Sequence, residues 1–178
     1  MSKEFKESRD RVAHSIENMK DWWYVETRHY ILLSDLNNRY RRTLRDLQDN
    51  LELLRASLED FMPPQKPISV VSVVRAFATD KEYEEYVGPQ HEWTSGIWHP
   101  ARKELVIRSR SESGGRQEQE QFSSVVYHEA FHQYIYYALD QTQTSPWFNE
   151  GHAAFFASAE FSNRGVRIRE DKSRVSQL

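Results

Sequence analysis

Two histidines four residues apart, His128 and His132, stand in the run "SSVVYHEAFHQYIYYAL" (123–139), with Glu129 beside the first. Residues i and i+4 of a helix share one face, so both imidazoles can reach a single ion. Zinc takes nitrogen ligands at about 2.0–2.1 Å, and a catalytic zinc keeps three protein ligands and one open position. Glu129 lies to one side of the pair, where it reaches a water more readily than the ion. The flanks are apolar and aromatic, as a helix anchored in a core requires. The competing reading is a core helix that merely tolerates three titratable groups.

A third ligand is available in "WFNEG" (147–151). Glu150, on a second helix, can close a cage of two histidines and one glutamate. After His132 come Gln133, Tyr134 and Ile135, so no HxxGxxH extension follows and the metzincin arrangement is excluded. At i+2 from Glu150, His152 points to another side of its helix and is not a ligand. His99 is read as a solvated turn residue, and His14, His29 and His91 as structural or exposed. Tyr134, Tyr136 and Tyr137 are packing residues, and Trp147 a core anchor for the second helix.

"HEAFH" has the HExxH pattern of zinc metallopeptidases, and together with "WFNEGHAAFF" it resembles the gluzincin signature. Aminopeptidase N and the leukotriene-hydrolase-like enzymes carry a similar W-x-N-E-G segment. The resemblance is nearest to bacterial gluzincin-like domains in which a strand similar to "GIWHPARKELVI" precedes the HExxH helix. It covers residues 93–160. It implies a zincin-like fold, one zinc ion (Zn2+) per chain held by His128, His132 and Glu150, and Glu129 as general base. It also implies a peptide or protein substrate, laid along a free strand edge in the hairpin and met there by Trp98 or its aromatic neighbours.

The chain departs from that pattern in places. The acid that aminopeptidases carry seven positions past the ligand glutamate is Ala157 here. The thermolysin-type acid four positions past it is Ala154. Metal-bound histidines usually donate their other N–H to a partner, so Glu160, Asn149 or backbone carbonyls must serve. No Gly-x-Met-Glu-Asn segment is present, which argues against aminopeptidase activity. Gluzincins stabilise the oxyanion with a Tyr or His well downstream, and past His152 neither residue follows Glu150. A second reading therefore stays open: a catalytically weak zinc-bearing peptide-binding domain, or an incomplete part of a larger metallopeptidase.

Several elements must position these groups. The chain of 178 residues is the length of one domain, with 38% hydrophobic and 13% aromatic residues for a core. "WWYVETRHYILLSD" (22–35) predicts a strand, with Asp35 capping the helix after it. Leu36 to Phe61 recur at three- and four-residue steps, a long amphipathic helix, whose charged outer face reads as solvated. "ISVVSVVRAFA" (68–78) predicts a buried strand, "TDKEYEEYVG" (79–88) a short capped helix, and 93–109 a hairpin. A polar loop (111–121) leads into the histidine helix, and 147–161 forms the second short helix. The expected organisation is α+β: a small mixed sheet, a long covering helix, the HExxH helix and the helix carrying Glu150. Residues 21–162 form the domain, 1–20 a frayed polar arm and 163–178 a polar tail.

The absence of cysteine excludes disulfides, thiolate metal sites and a cysteine nucleophile. A net charge of −3 offers no general argument for a nucleic-acid or membrane-surface partner. No run of about 18 apolar residues predicts a membrane span, and "MSKEFKESRDRVAH" lacks the apolar stretch of an export signal.

Overall fold

The computed structural model describes residues 2–37, 40–108, 116–162 and 165–169. At its centre is a mixed five-stranded sheet in the order β1-β2-β3-β5-β4. The strands are β1 (Trp23–Glu26), β2 (Tyr30–Ser34), β3 (Ser72–Phe77), β4 (Gly96–His99) and β5 (Glu104–Arg108). The inner strands β2, β3 and β5 pair in parallel, and β1 and β4 close the two edges antiparallel. "YILLS" and "SVVRAF" are buried throughout, as inner strands covered on both faces must be. Their side chains alternate between faces. Tyr30, Leu32, Val74, Ala76, Leu105 and Ile107 enter the main core. Ile31, Leu33 and Val73 point the other way into a second cluster, and Phe77 and Val106 into a third.

A parallel pair needs a long crossover, and helix α2 (Arg41–Phe61) supplies it between β2 and β3. Its Leu51, Leu54 and Leu58 are fully buried, each contributing about 1.5–3 kcal/mol relative to exposure. Helix α4 (Arg116–Ala138) shares that core through Val126, Tyr127, Ala130, Phe131 and Tyr134. Helix α5 (Pro146–Phe156) adds Ala153 and Phe156. Helix α3 (Asp80–Val87) starts at Thr79, whose Oγ1 accepts the Glu82 N–H, and ends at Gly88 with φ +81°. The fold is α+β, with the small mixed sheet and long covering helix that the sequence pattern predicts. No helix among the described residues is long and apolar enough to cross a membrane.

The structure corrects several local expectations. Residues 22–35 are a hairpin, not one strand: β1 and β2 pair with Trp23 opposite Ser34. The break between them is held from α2, where Glu52 accepts both the His29 N–H (2.7 Å) and a bond from the His29 ring (2.6 Å). Asp35 does not cap α2; it accepts the Ala78 N–H instead. The polar arm at 1–20 carries a helix that packs on the sheet. Helix α1 (Lys3–His14) is capped by the Ser2 hydroxyl and lies on the sheet, with Phe5 and Ile16 buried beside Ile31 and Leu33. Helix α4 begins at Arg116, inside the stretch expected to be loop. The second short helix ends at Phe156, not at 161; β6 (Ala159–Ser162) follows it and pairs with β7 (Gly165–Ile168), which lies in the expected tail, as a ribbon against α2. Residues 170–178 lie outside the described residues.

Candidate metal centre

Helix α4 runs against the edge strand β4, and α5 packs against α4. The close approach of α4 to β4 depends on Gly96. A Cβ there would stand 3.1 Å from Val125 Cγ1 and 3.3 Å from Ile107 Cγ2, the small-residue contact that a strand glycine permits. This places Trp98 against α4. Its ring packs on Tyr136 at 5.4 Å and Tyr137 at 6.0 Å, and its backbone N–H donates to Glu129 Oε2 at 2.7 Å.

The His128 and His132 rings meet edge to face with centroids 4.8 Å apart. Glu150 bridges them: Oε2 lies 3.3 Å from His128 Nε2 and Oε1 lies 3.6 Å from His132 Nε2. Two carboxylates therefore compete for a third ligand position. Glu129 also falls within 4.8 Å of both histidines. Ligand atoms about 2.0–2.1 Å from a tetrahedral zinc stand about 3.4 Å apart; each Glu150 oxygen is near that distance from one histidine only. Glu129, by contrast, is tied to the Trp98 N–H. Glu150 offers a different oxygen to each histidine, whereas among the described residues the group whose single donor atoms all lie within 4.8 Å of one another is His128, Glu129 and His132, and both carboxylates are candidates for the third position.

Asn149 Oδ1 lies 3.0 Å from His132 Nδ1. A hydrogen on Nδ1 donated to that amide oxygen leaves the Nε2 lone pair free for a metal. Of the three kinds of partner expected for the histidines, Asn149 is the one on His132; Glu160 pairs with Arg169 at 2.6 Å. Two imidazole nitrogens and a carboxylate are a donor set that fits zinc, and a hydrogen on His132 Nδ1 given to Asn149 would set the tautomer such a site needs.

Burial pushes the Glu129 carboxyl above the ordinary carboxylate range; the Trp98 N–H and His132 pull it back, and Glu150 pushes it further up. The Glu150 side chain is 63% exposed while His132 is 11% exposed, so the cage opens to solvent on the α5 side.

The remaining candidates lie elsewhere. His152 sits with Nδ1 2.8 Å from Phe148 O and its ring stacked on Phe131. His99 accepts the Arg102 N–H in the β4–β5 turn. Trp147 is not a core anchor, being 76% exposed. The buried face of α5 runs through Ala153 and Phe156, and Trp147 lies one turn from Glu150 on the open side. The hydroxyls of Tyr83, Tyr86, Tyr127, Tyr134 and Tyr136 are bonded to Thr94, Glu104, Asn50, Met62 and Gln141. Sequence reasoning missed the Trp98 N–H as the anchor of Glu129; the glycine in "GIW" was the available signal.

No family model, curated protein or solved structure matches the chain.

Proposed function

We propose that this chain is a zinc-dependent peptidase of the gluzincin type, hydrolysing peptide bonds with Glu129 as general base. The observation that carries the reading is the division of labour between two glutamates. Glu150 turns one oxygen to each histidine Nε2, while Glu129 stands beside the cage, held by the edge strand. His128, His132 and Glu150 would hold the ion, which would supply Lewis acidity to a carbonyl and acidify water. Glu129, raised by burial, is suited to take a proton from water and return it to the leaving amine. β4 ends the sheet, and an extended peptide adding to its outer edge by β-augmentation would take the Trp98 N–H from Glu129, freeing that carboxylate as base.

A second reading, a zinc-bearing domain that binds peptides but cleaves them weakly, is favoured by the hydroxyls of Tyr83, Tyr86, Tyr127, Tyr134 and Tyr136 being bonded to other groups. The test is hydrolysis of a broad peptide library. Cleavage should stop with a chelator, return with zinc, and fall at least about 100-fold in Glu129→Gln. Undiminished cleavage in that variant overturns the proposed mechanism. Zinc binding without any cleavage favours the second reading.

A further inference from the structure

Helix α5 turns an uncharged stripe to solvent. Trp147, Gly151, Ala154 and Phe155 recur at helical spacing, so they share one side. Trp147 is 76% and Phe155 50% exposed, and a Cβ added at Gly151 would meet nothing within 4 Å. The two titratable residues of α5 are engaged elsewhere. His152 is stacked on Phe131, and Glu150 gives one oxygen to each candidate histidine. The outer face of α2, by contrast, exposes Arg42, Arg45, Asp46 and Asp49. A single exposed tryptophan is ordinary, but a contiguous uncharged stripe marks a surface that something covers.

The stripe begins beside the candidate centre. Trp147 and Glu150 stand at i and i+3 on α5, so their Cβ atoms are about 5–6 Å apart. Both side chains face the open side of the cage. A peptide whose carbonyl reached an ion held by Glu150 would therefore bring a neighbouring side chain to the indole, since an extended chain advances only about 3.3–3.4 Å per residue. The chemistry of the stripe selects that side chain. An acidic group laid on it would shed water and find no donor. A basic group could stack on the indole, but the ion beside Glu150 would repel it. An apolar or aromatic group gains from burial against the ring. We propose that Trp147 is a specificity-determining residue of this site, receiving a large apolar or aromatic side chain within about two residues of the bond to be cleaved. The inference rests on the peptidase reading, from which the place of the peptide is taken.

The test uses labelled peptides bound to the full-length Glu129→Gln protein with zinc and read by fluorescence anisotropy. A single Phe, Ala, Glu or Lys is moved through each position of a peptide otherwise made of Gly and Ser. At one position Phe should bind about tenfold tighter than Ala, Glu or Lys, the scale of one aromatic pair with its buried area. Adding Trp147→Ser should bring that ratio within about twofold, and Trp147→Tyr should keep most of it. Phe155→Ser, at the far end of the stripe, should leave the ratio intact. A ratio that survives Trp147→Ser, a ratio that Phe155→Ser also removes, a preference for Glu or Lys at that position, or no binding overturns the proposal. Dimerisation, or pelleting with phosphatidylcholine vesicles, that Trp147→Ser abolishes also overturns it, because a second copy or a lipid surface would then cover the stripe. Hydrolysis of the Phe peptide by the unsubstituted protein is read in parallel. A Trp147-dependent ratio without hydrolysis keeps the contact and removes only the peptidase reading. Hydrolysis without that ratio removes only the Trp147 contact.

Discussion

Asn149 Oδ1 and His132 Nδ1 lie 3.0 Å apart, and the next residue, Glu150, faces the other nitrogen of the same ring. In the proposed centre these two consecutive residues of α5 would orient His132 and complete the donor set. Asn149→Ala should weaken zinc binding by about 10–100-fold, the usual effect of removing a partner behind a ligand. Asn149→Asp, which restores an acceptor, should recover most of that loss. Competition against a chromophoric chelator measures both. An unchanged affinity in Asn149→Ala would show that the contact does not orient the ring.

Gly96 sets the distance between β4 and α4. Gly96→Val places carbon where Val125 Cγ1 would stand 3.1 Å away. Overpacking of this kind costs about 1–3 kcal/mol, readable by urea denaturation. Because the displaced strand carries the Trp98 N–H that holds Glu129, hydrolysis should fall more than zinc content does. Equal stability of Gly96→Val and the unsubstituted protein would contradict the close contact.

The Glu52–His29 contact makes a prediction in acid. Burial raises the Glu52 carboxyl, but hydrogen bonds led by the His29 ring outweigh it and hold the group near 2 instead of 4.5. A depressed carboxylate contributes stability that is complete above about 4.5 and is lost as pH falls toward about 2. Unfolding midpoints should therefore drop across that window, and Glu52→Gln should flatten the drop while lowering stability at neutral pH. Parallel pH profiles for the two proteins would remove Glu52 from the account.

These contacts also show what could be read from sequence. The histidine spacing, the apolar flanks of α4 and the leucine steps of α2 are local periodicities, so they were legible. The break between β1 and β2 was not, because its stabilising carboxylate comes from Glu52 on another element. Residues 1–20 are polar enough to read only as a helix-permissive arm, because only Phe5 and Ile16 of that region are buried, too sparse an apolar pattern to show that α1 packs on the sheet. Trp147 was misplaced because its exposure follows from which face of α5 meets α4, a tertiary fact. Asn149 could be named only as one of several partners for the histidines until the two helices were seen together.

The most direct test of the metal assignment is the zinc content of Glu150→Gln and Glu129→Gln, purified in parallel and measured by elemental analysis. Glu129→Gln should retain about one equivalent, and Glu150→Gln should lose most of its zinc, because the proposed three-ligand cage is completed by Glu150. The reverse outcome, zinc lost with Glu129 and kept without Glu150, would contradict the account and make Glu129 the ligand.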